Sequence, residues 1–111
     1  MPISKPSLLQ IFSVVLATGV SLAVAADCSG NYPQHSPDDS WIARQAYCGG
    51  GLWQTSSSFV ANGVTIGNTN PGANNQQVCW DALENIISQC RLGGFGYGVY
   101  RYNGVSYYMF M

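Results

Sequence analysis

The chain has little with which to do acid–base chemistry: one histidine, His35, and five carboxylates, Asp27, Asp38, Asp39, Asp81 and Glu84. A general base needs partners that hold and tune it. His35 instead stands in a Pro- and Ser-containing stretch, where a solvated loop histidine is the simpler reading. Asp81 and Glu84 lie three residues apart and would share one helix face, the arrangement that invites a paired-carboxylate mechanism. The first half of a helix also stabilises negative charge, which accounts for both without catalysis. Asp38 and Asp39 follow Ser36-Pro37 and suit a helix start equally well. No serine nucleophile motif, phosphate-binding loop or metal signature is present. The sequence thus predicts no catalytic residue, no metal and no cofactor.

Four cysteines, Cys28, Cys48, Cys79 and Cys90, complete the reactive inventory. No Cys-x-x-Cys pair exists, and a single histidine is a poor fourth zinc ligand. What precedes them decides their chemistry. Lys5 supplies a positive start, Leu8 to Val24 is an uncharged and mostly apolar run, and Ala23-Val24-Ala25-Ala26 offers small residues at a cut site. That is the pattern of a secretory signal peptide over residues 1–26. A membrane anchor of this length would be followed by basic residues, whereas Asp27 comes next, so no membrane span is expected in the mature form. The expected localisation is extracellular. In that compartment an even number of cysteines in a short chain reads as two disulfides.

Residues 27–111 form one domain, being too few for two cores. Their cations are Arg44, Arg91 and Arg101, and three arginines against five carboxylates leave a formal charge of −2 without a single lysine. With no basic patch, nucleic acid and anionic lipid surfaces are not expected as partners.

The elements that must position these residues follow from local signals. Asp27 to His35 reads as an extended lead-in pinned by Cys28. A first helix starts at Ser36-Pro37-Asp38-Asp39, runs to about Cys48 and stops at Gly49-Gly50-Gly51. Leu52 to Phe59 and Val64 to Ile66 read as strands around Asn62-Gly63, and Asn68 to Asn75 as a loop. Asn74 or Asn75 then caps a second helix with Cys79, Leu83, Ile86 and Cys90 on its inner face. Gly93-Gly94 ends it, and a hairpin follows around Asn103-Gly104, pairing Tyr102 with Val105, Tyr100 with Tyr107, and Tyr97 with Phe110. The order helix, hairpin, helix, hairpin predicts an α+β fold, a small antiparallel sheet with both helices packed on it. Cys79 and Cys90 would stand about 16 Å apart along one helix and cannot bond to each other. Antiparallel helices favour Cys48–Cys79 and leave Cys28–Cys90; Cys28–Cys79 with Cys48–Cys90 remains the alternative.

Three tryptophans and seven tyrosines are the stronger functional clue. Such side chains combine an apolar face with a polar tip and suit half-wet binding surfaces. Strand alternation sorts the last hairpin into one face with Tyr100, Tyr102, Val105, Tyr107 and Met109, and another with Tyr97, Val99, Arg101, Ser106, Tyr108 and Phe110. Val99 and Phe110 suggest that the second face packs under the helices. The first would then be exposed, with Tyr100, Tyr102 and Tyr107 as a stacking platform for ligand.

Cys79-Trp80-Asp81-Ala82-Leu83-Glu84-Asn85-Ile86-Ile87-Ser88-Gln89-Cys90, then Gly93-Gly94 and an aromatic hairpin, resembles the distal half of small secreted fungal cysteine-containing proteins. Among them it is most similar to the mushroom glycan-binding, lectin-like family. The earlier Cys28 and the helix ending in Ala46-Tyr47-Cys48 agree with it. The resemblance implies a small α/β sandwich that binds glycans or cell-surface glycoconjugates outside the cell, without a cofactor or catalysis. Two other readings stand beside it. One is a secreted effector or killer-toxin-like protein that binds a host or competitor protein. The other is a small hydrolase or ribonuclease built from Glu84, His35 and an arginine.

Overall fold

The computed structural model describes residues 25–111, so the expected signal peptide, apart from its last two alanines, lies outside the described residues. The first helix, α1, spans Pro37–Arg44, and its start is built as its sequence implies. The Asp39 carboxylate accepts hydrogen bonds from the Ser36 backbone N–H and Oγ, each at 3.2 Å, which ties the first turn to the extended residue before it. A wider, π-type turn over Gln45–Gly49 continues the helix, and Gly51 stops it with a φ of 84° that side-chain-bearing residues rarely adopt. The second helix, α2 (Gln76–Ile86), is capped by Asn75, whose side chain accepts from the Val78 N–H at 2.9 Å. It too continues through a wider turn, Ile87–Arg91.

Five strands make one antiparallel sheet in the order β1-β4-β5-β3-β2. They are β1 (Asp27–Ser29), β2 (Phe59–Ala61), β3 (Val64–Asn68), β4 (Tyr97–Tyr102) and β5 (Val105–Phe110). Both hairpins turn on Asn-Gly, with positive φ at Asn62, Gly63, Asn103 and Gly104, the geometry that matches strand twist. The β4–β5 register is the expected one, Tyr102 opposite Val105 and Tyr97 opposite Phe110.

The disulfides are Cys28–Cys90 and Cys48–Cys79, with Cα atoms 5.2 and 5.7 Å apart. The first ties the edge strand β1 to the end of α2. The second joins the end of the α1 segment to the start of α2, as antiparallel helices require.

Two expectations are corrected. The stretch from Leu52 to Phe59 is not a strand: Leu52–Gln54 is a single 3₁₀ turn and the ladder begins only at Phe59. Trp53 is buried, and its carbonyl accepts from the Gly72 N–H at 3.1 Å and the Asn68 side chain at 3.2 Å. The N–H groups of Thr55 and Ser56 both turn back to the Leu52 carbonyl. Backbone groups satisfied locally in this way are not free for a ladder.

The second correction concerns the faces of the last hairpin. Both helices lie on one side of the sheet, α2 over β4 and β5 and α1 over β3. The face they cover carries Val105, Tyr107 and Met109, all 2 % exposed or less, together with Val64 and Ile66 of β3. Phe110, expected to be packed, is 52 % exposed. The pairing of Ile66 with Met109 explains the reversal, because cross-strand partners share a face and the aliphatic side of β3 carries its neighbours inward. Gly98 stands on the same face, and a Cβ there would come within 2.7 Å of Cys90 Sγ and Ile86 Cγ2. The helix therefore rests directly on β4.

Candidate functional site

The opposite face of the sheet carries Tyr97, Tyr108 and Phe110. Tyr97 and Phe110 are cross-strand partners whose rings pack with centroids 4.4 Å apart and planes tilted by 39°. Tyr108 meets Phe110 edge-on at 6.1 Å, and its hydroxyl is fixed by donation to the Ser57 carbonyl. Aromatic side chains that gather on a sheet face without a covering helix make an apolar floor.

At the end where β4 begins and β5 finishes, that floor runs into a cleft of about 400 Å³, the size of a small-molecule site. Its side-chain lining is Tyr97 and Phe110 below and Asn31, Tyr32, Gln34 and His35 along one wall. The wall is held by its backbone. Gln34 and His35 donate their N–H groups to the Met111 carbonyl at 3.1 and 3.2 Å, and the Met111 N–H donates to the Gly96 carbonyl at 2.8 Å. Arg91 grips the His35 carbonyl with Nε at 3.2 Å and Nη2 at 2.9 Å. Its neighbour Cys90 holds the other end of the wall through Cys28. Two adjacent residues at the end of α2 thus clamp both ends of one loop.

Glycines make the close approaches possible. A Cβ at Gly96 would stand 2.9 Å from the Asn31 carbonyl oxygen, and a Cβ at Gly63 would fall within the His35 imidazole. His35 is therefore a half-buried wall residue rather than a freely solvated one.

The cleft carries amides, an imidazole and tyrosine hydroxyls, but no Asp or Glu side chain. Such a lining offers donors and acceptors to a neutral polyhydroxyl ligand, with an aromatic surface for the ligand's C–H face. The carboxylate pair considered for catalysis is elsewhere. Asp81 accepts from the Gln77 side chain at 2.9 Å and Glu84 faces Arg44 at 3.6 Å, both on the outer side of α2. Arg44 itself is stacked 4.7 Å from the Trp80 ring and 5.5 Å from Trp41, and donates to the Trp80 carbonyl at 3.0 Å. Helix-to-helix packing accounts for this group. Neither Asp81 nor Glu84 meets His35 at the cleft. Among the described residues no three His, Cys, Asp or Glu side chains gather as a metal site, and no helix is long and apolar enough to cross a membrane.

The three tyrosines named from the sequence are not brought together as an open platform. Tyr107 is in the core, its hydroxyl accepting from the Asn74 side chain at 3.1 Å. Tyr100 packs half-buried against that core, and Tyr102, 41 % exposed, stands near the hairpin turn. The cleft residues Tyr97, Phe110, Asn31 and Gln34 escaped the sequence reading. The signal that points to them is the Val64-x-Ile66 alternation of β3, which fixes the inner face once β3 is paired with β5.

No curated protein and no solved structure matches this chain. A family model does: the one described as LDL, alpha-galactosyl binding lectin, matches residues 35–105. The match takes in His35, Gly63, Gly96 and Tyr97 of the cleft and both clamping residues, Cys90 and Arg91. It covers most of the chain, which therefore belongs to the alpha-galactosyl binding lectin family.

Proposed function

We propose that this protein is a secreted lectin that holds terminal α-galactosyl groups in the cleft above Tyr97 and Phe110, without catalysis. Family membership supports carbohydrate binding. The observation that carries the location is an aromatic pair flooring a cleft whose wall is built of amides and an imidazole. In this reading the Tyr97–Phe110 surface receives the C–H face of the pyranose, while Asn31, Gln34 and His35 meet its hydroxyls. A wall fixed by Arg91, Met111 and the Cys28–Cys90 bridge has little ordering entropy left to lose on binding. Two disulfides and the apolar leader support an extracellular site of action, with cell-surface glycoconjugates as partners.

The test is a glycan array probed with protein purified from the medium of a secreting host, followed by calorimetry on the best ligand. α-Galactosyl termini should bind and their β-linked counterparts should bind more weakly. Tyr97→Ala and Phe110→Ala should each weaken binding by about 1–3 kcal/mol, the range of a well-placed aromatic anchor. Tyr102→Ala, at the far end of the hairpin, should leave affinity unchanged. A loss confined to Tyr100→Ala and Tyr102→Ala would move the site to the turn end of the hairpin. Binding to a protein and to no glycan would replace the lectin reading altogether.

A further inference from the structure

Ala26 is folded into the domain. Its residue is 9 % exposed and belongs to the core cluster, although the sequence assigns it to the discarded leader. Its backbone nitrogen faces two side-chain acceptors on the α2 segment, Asn85 Oδ1 at 3.0 Å and Gln89 Oε1 at 3.2 Å. A peptide nitrogen has one hydrogen to share between them. An ammonium has three, enough to give each oxygen its own bond. Asn85 and Gln89 also lie in the C-terminal half of a helical segment that ends at Arg91, where the backbone dipole favours positive charge.

We infer that the leader is cut between Ala25 and Ala26, and that the new α-ammonium of Ala26 is bound by Asn85 and Gln89. The leader peptidase adds water across that peptide bond, leaving a carboxylate on Ala25 and an ammonium on Ala26. Ala23-Val24-Ala25 supplies small residues at the two positions that such a peptidase reads. The amino terminus then enters β1 directly, one residue before Asp27 and two before the Cys28 bridge. Maturation would thus complete the N-terminal edge of the fold next to the clamp that holds the cleft wall.

The full chain, secreted from a eukaryotic or bacterial host, is analysed by intact mass and N-terminal sequencing. A first residue of Ala26 is expected; a start at Asp27, at any other residue, or a retained leader overturns the cut. The amine pocket has its own readout, because the only lysine, Lys5, leaves with the leader and the α-amino group becomes the sole amine of the chain. Amine-specific acetylation should lower the Tm of the wild-type protein and leave the Tm of an Asn85→Ala/Gln89→Ala variant unchanged. An equal effect on both, or none on either, overturns the pocket. Neither measurement uses a sugar, so both stand or fall independently of the lectin reading.

Discussion

The two faces of the sheet use the same residue type in opposite ways. On the covered face Tyr107 is 2 % exposed and its hydroxyl is paired with Asn74; beneath the α1 segment Tyr47 is fully buried and its hydroxyl is paired with Asn68 and Ser56. On the open face Tyr97 and Tyr108 surround a half-exposed Phe110. Aromatic content alone does not separate a core from a binding surface. What separates them is whether a helix covers the ring, since on the open face too Tyr108 has its hydroxyl held by the protein, at the Ser57 carbonyl. A buried tyrosine must have a partner, because an unpaired hydroxyl in the core costs about 1–3 kcal/mol. A surface tyrosine has water.

The sharpest way to break the comparison is to delete one ring from each face. Tyr107→Ala should cost about 3–5 kcal/mol, as large-to-small changes of buried aromatics do, and should leave the Asn74 side chain short of a partner. Phe110→Ala, on the open face, should cost less than about 1 kcal/mol while weakening ligand binding. Chemical denaturation of both variants with disulfides intact gives the answer. Equal destabilisation would mean that the open face is as much core as the covered one.

A smaller effect tests the polar side of the covered face. Asn68, 1 % exposed, donates to Tyr47 Oη at 2.9 Å and to the Trp53 carbonyl, and its own Oδ1 accepts from the Asn70 N–H at 2.9 Å. Burial pushes the Tyr47 phenol up from 10.0 to about 12, against the opposing pull of the Asn68 hydrogen bond. The folded protein therefore keeps a proton that the unfolded chain releases above pH 10. The Tyr47 contribution to stability is complete below pH 10 and is lost as pH rises from 10 towards 12. Tyr47→Phe should cost about 1–2 kcal/mol at neutral pH and should flatten that alkaline decline. Denaturation midpoints measured from pH 8 to 12 decide it.

Much of this fold was legible because its signals are local. Ser36-Pro37-Asp38-Asp39, Asn75 and the two Asn-Gly turns each act within a few residues, and each forms the structure its type implies. The disulfide pairing favoured from antiparallel helices is the one found. What was not legible is non-local. The three-residue strand β1 has no periodic pattern of its own and exists because β4 offers it an edge. The inner face of the last hairpin is decided by β3, some forty residues earlier, through the Ile66–Met109 pairing. Of Val99 and Phe110, expected to pack together, Val99 is buried at 8 % exposure and only Phe110 stands open. Gly98 was the available correction, since a glycine inside a strand marks a surface that something else must approach closely.

The smallest expected effect comes from the one place where the covered side breaks its own rule. Ser40 of α1 is fully buried, and among the described residues its Oγ is the buried side-chain polar atom without a hydrogen-bond partner. Elsewhere on this side the hydroxyls of Tyr47 and Tyr107 are paired, so Ser40 bears a desolvation cost with no bond to offset it. Ser40→Ala removes the orphaned oxygen and substitutes the better helix former, at the loss of one small atom's packing. These terms predict a gain of up to about 1 kcal/mol with unchanged glycan affinity, because Ser40 does not line the cleft. Thermal melts of the variant beside wild type provide the measurement. A loss of stability would show that Ser40 has a partner after all, such as a bound water, and that every hydroxyl on the covered side is satisfied.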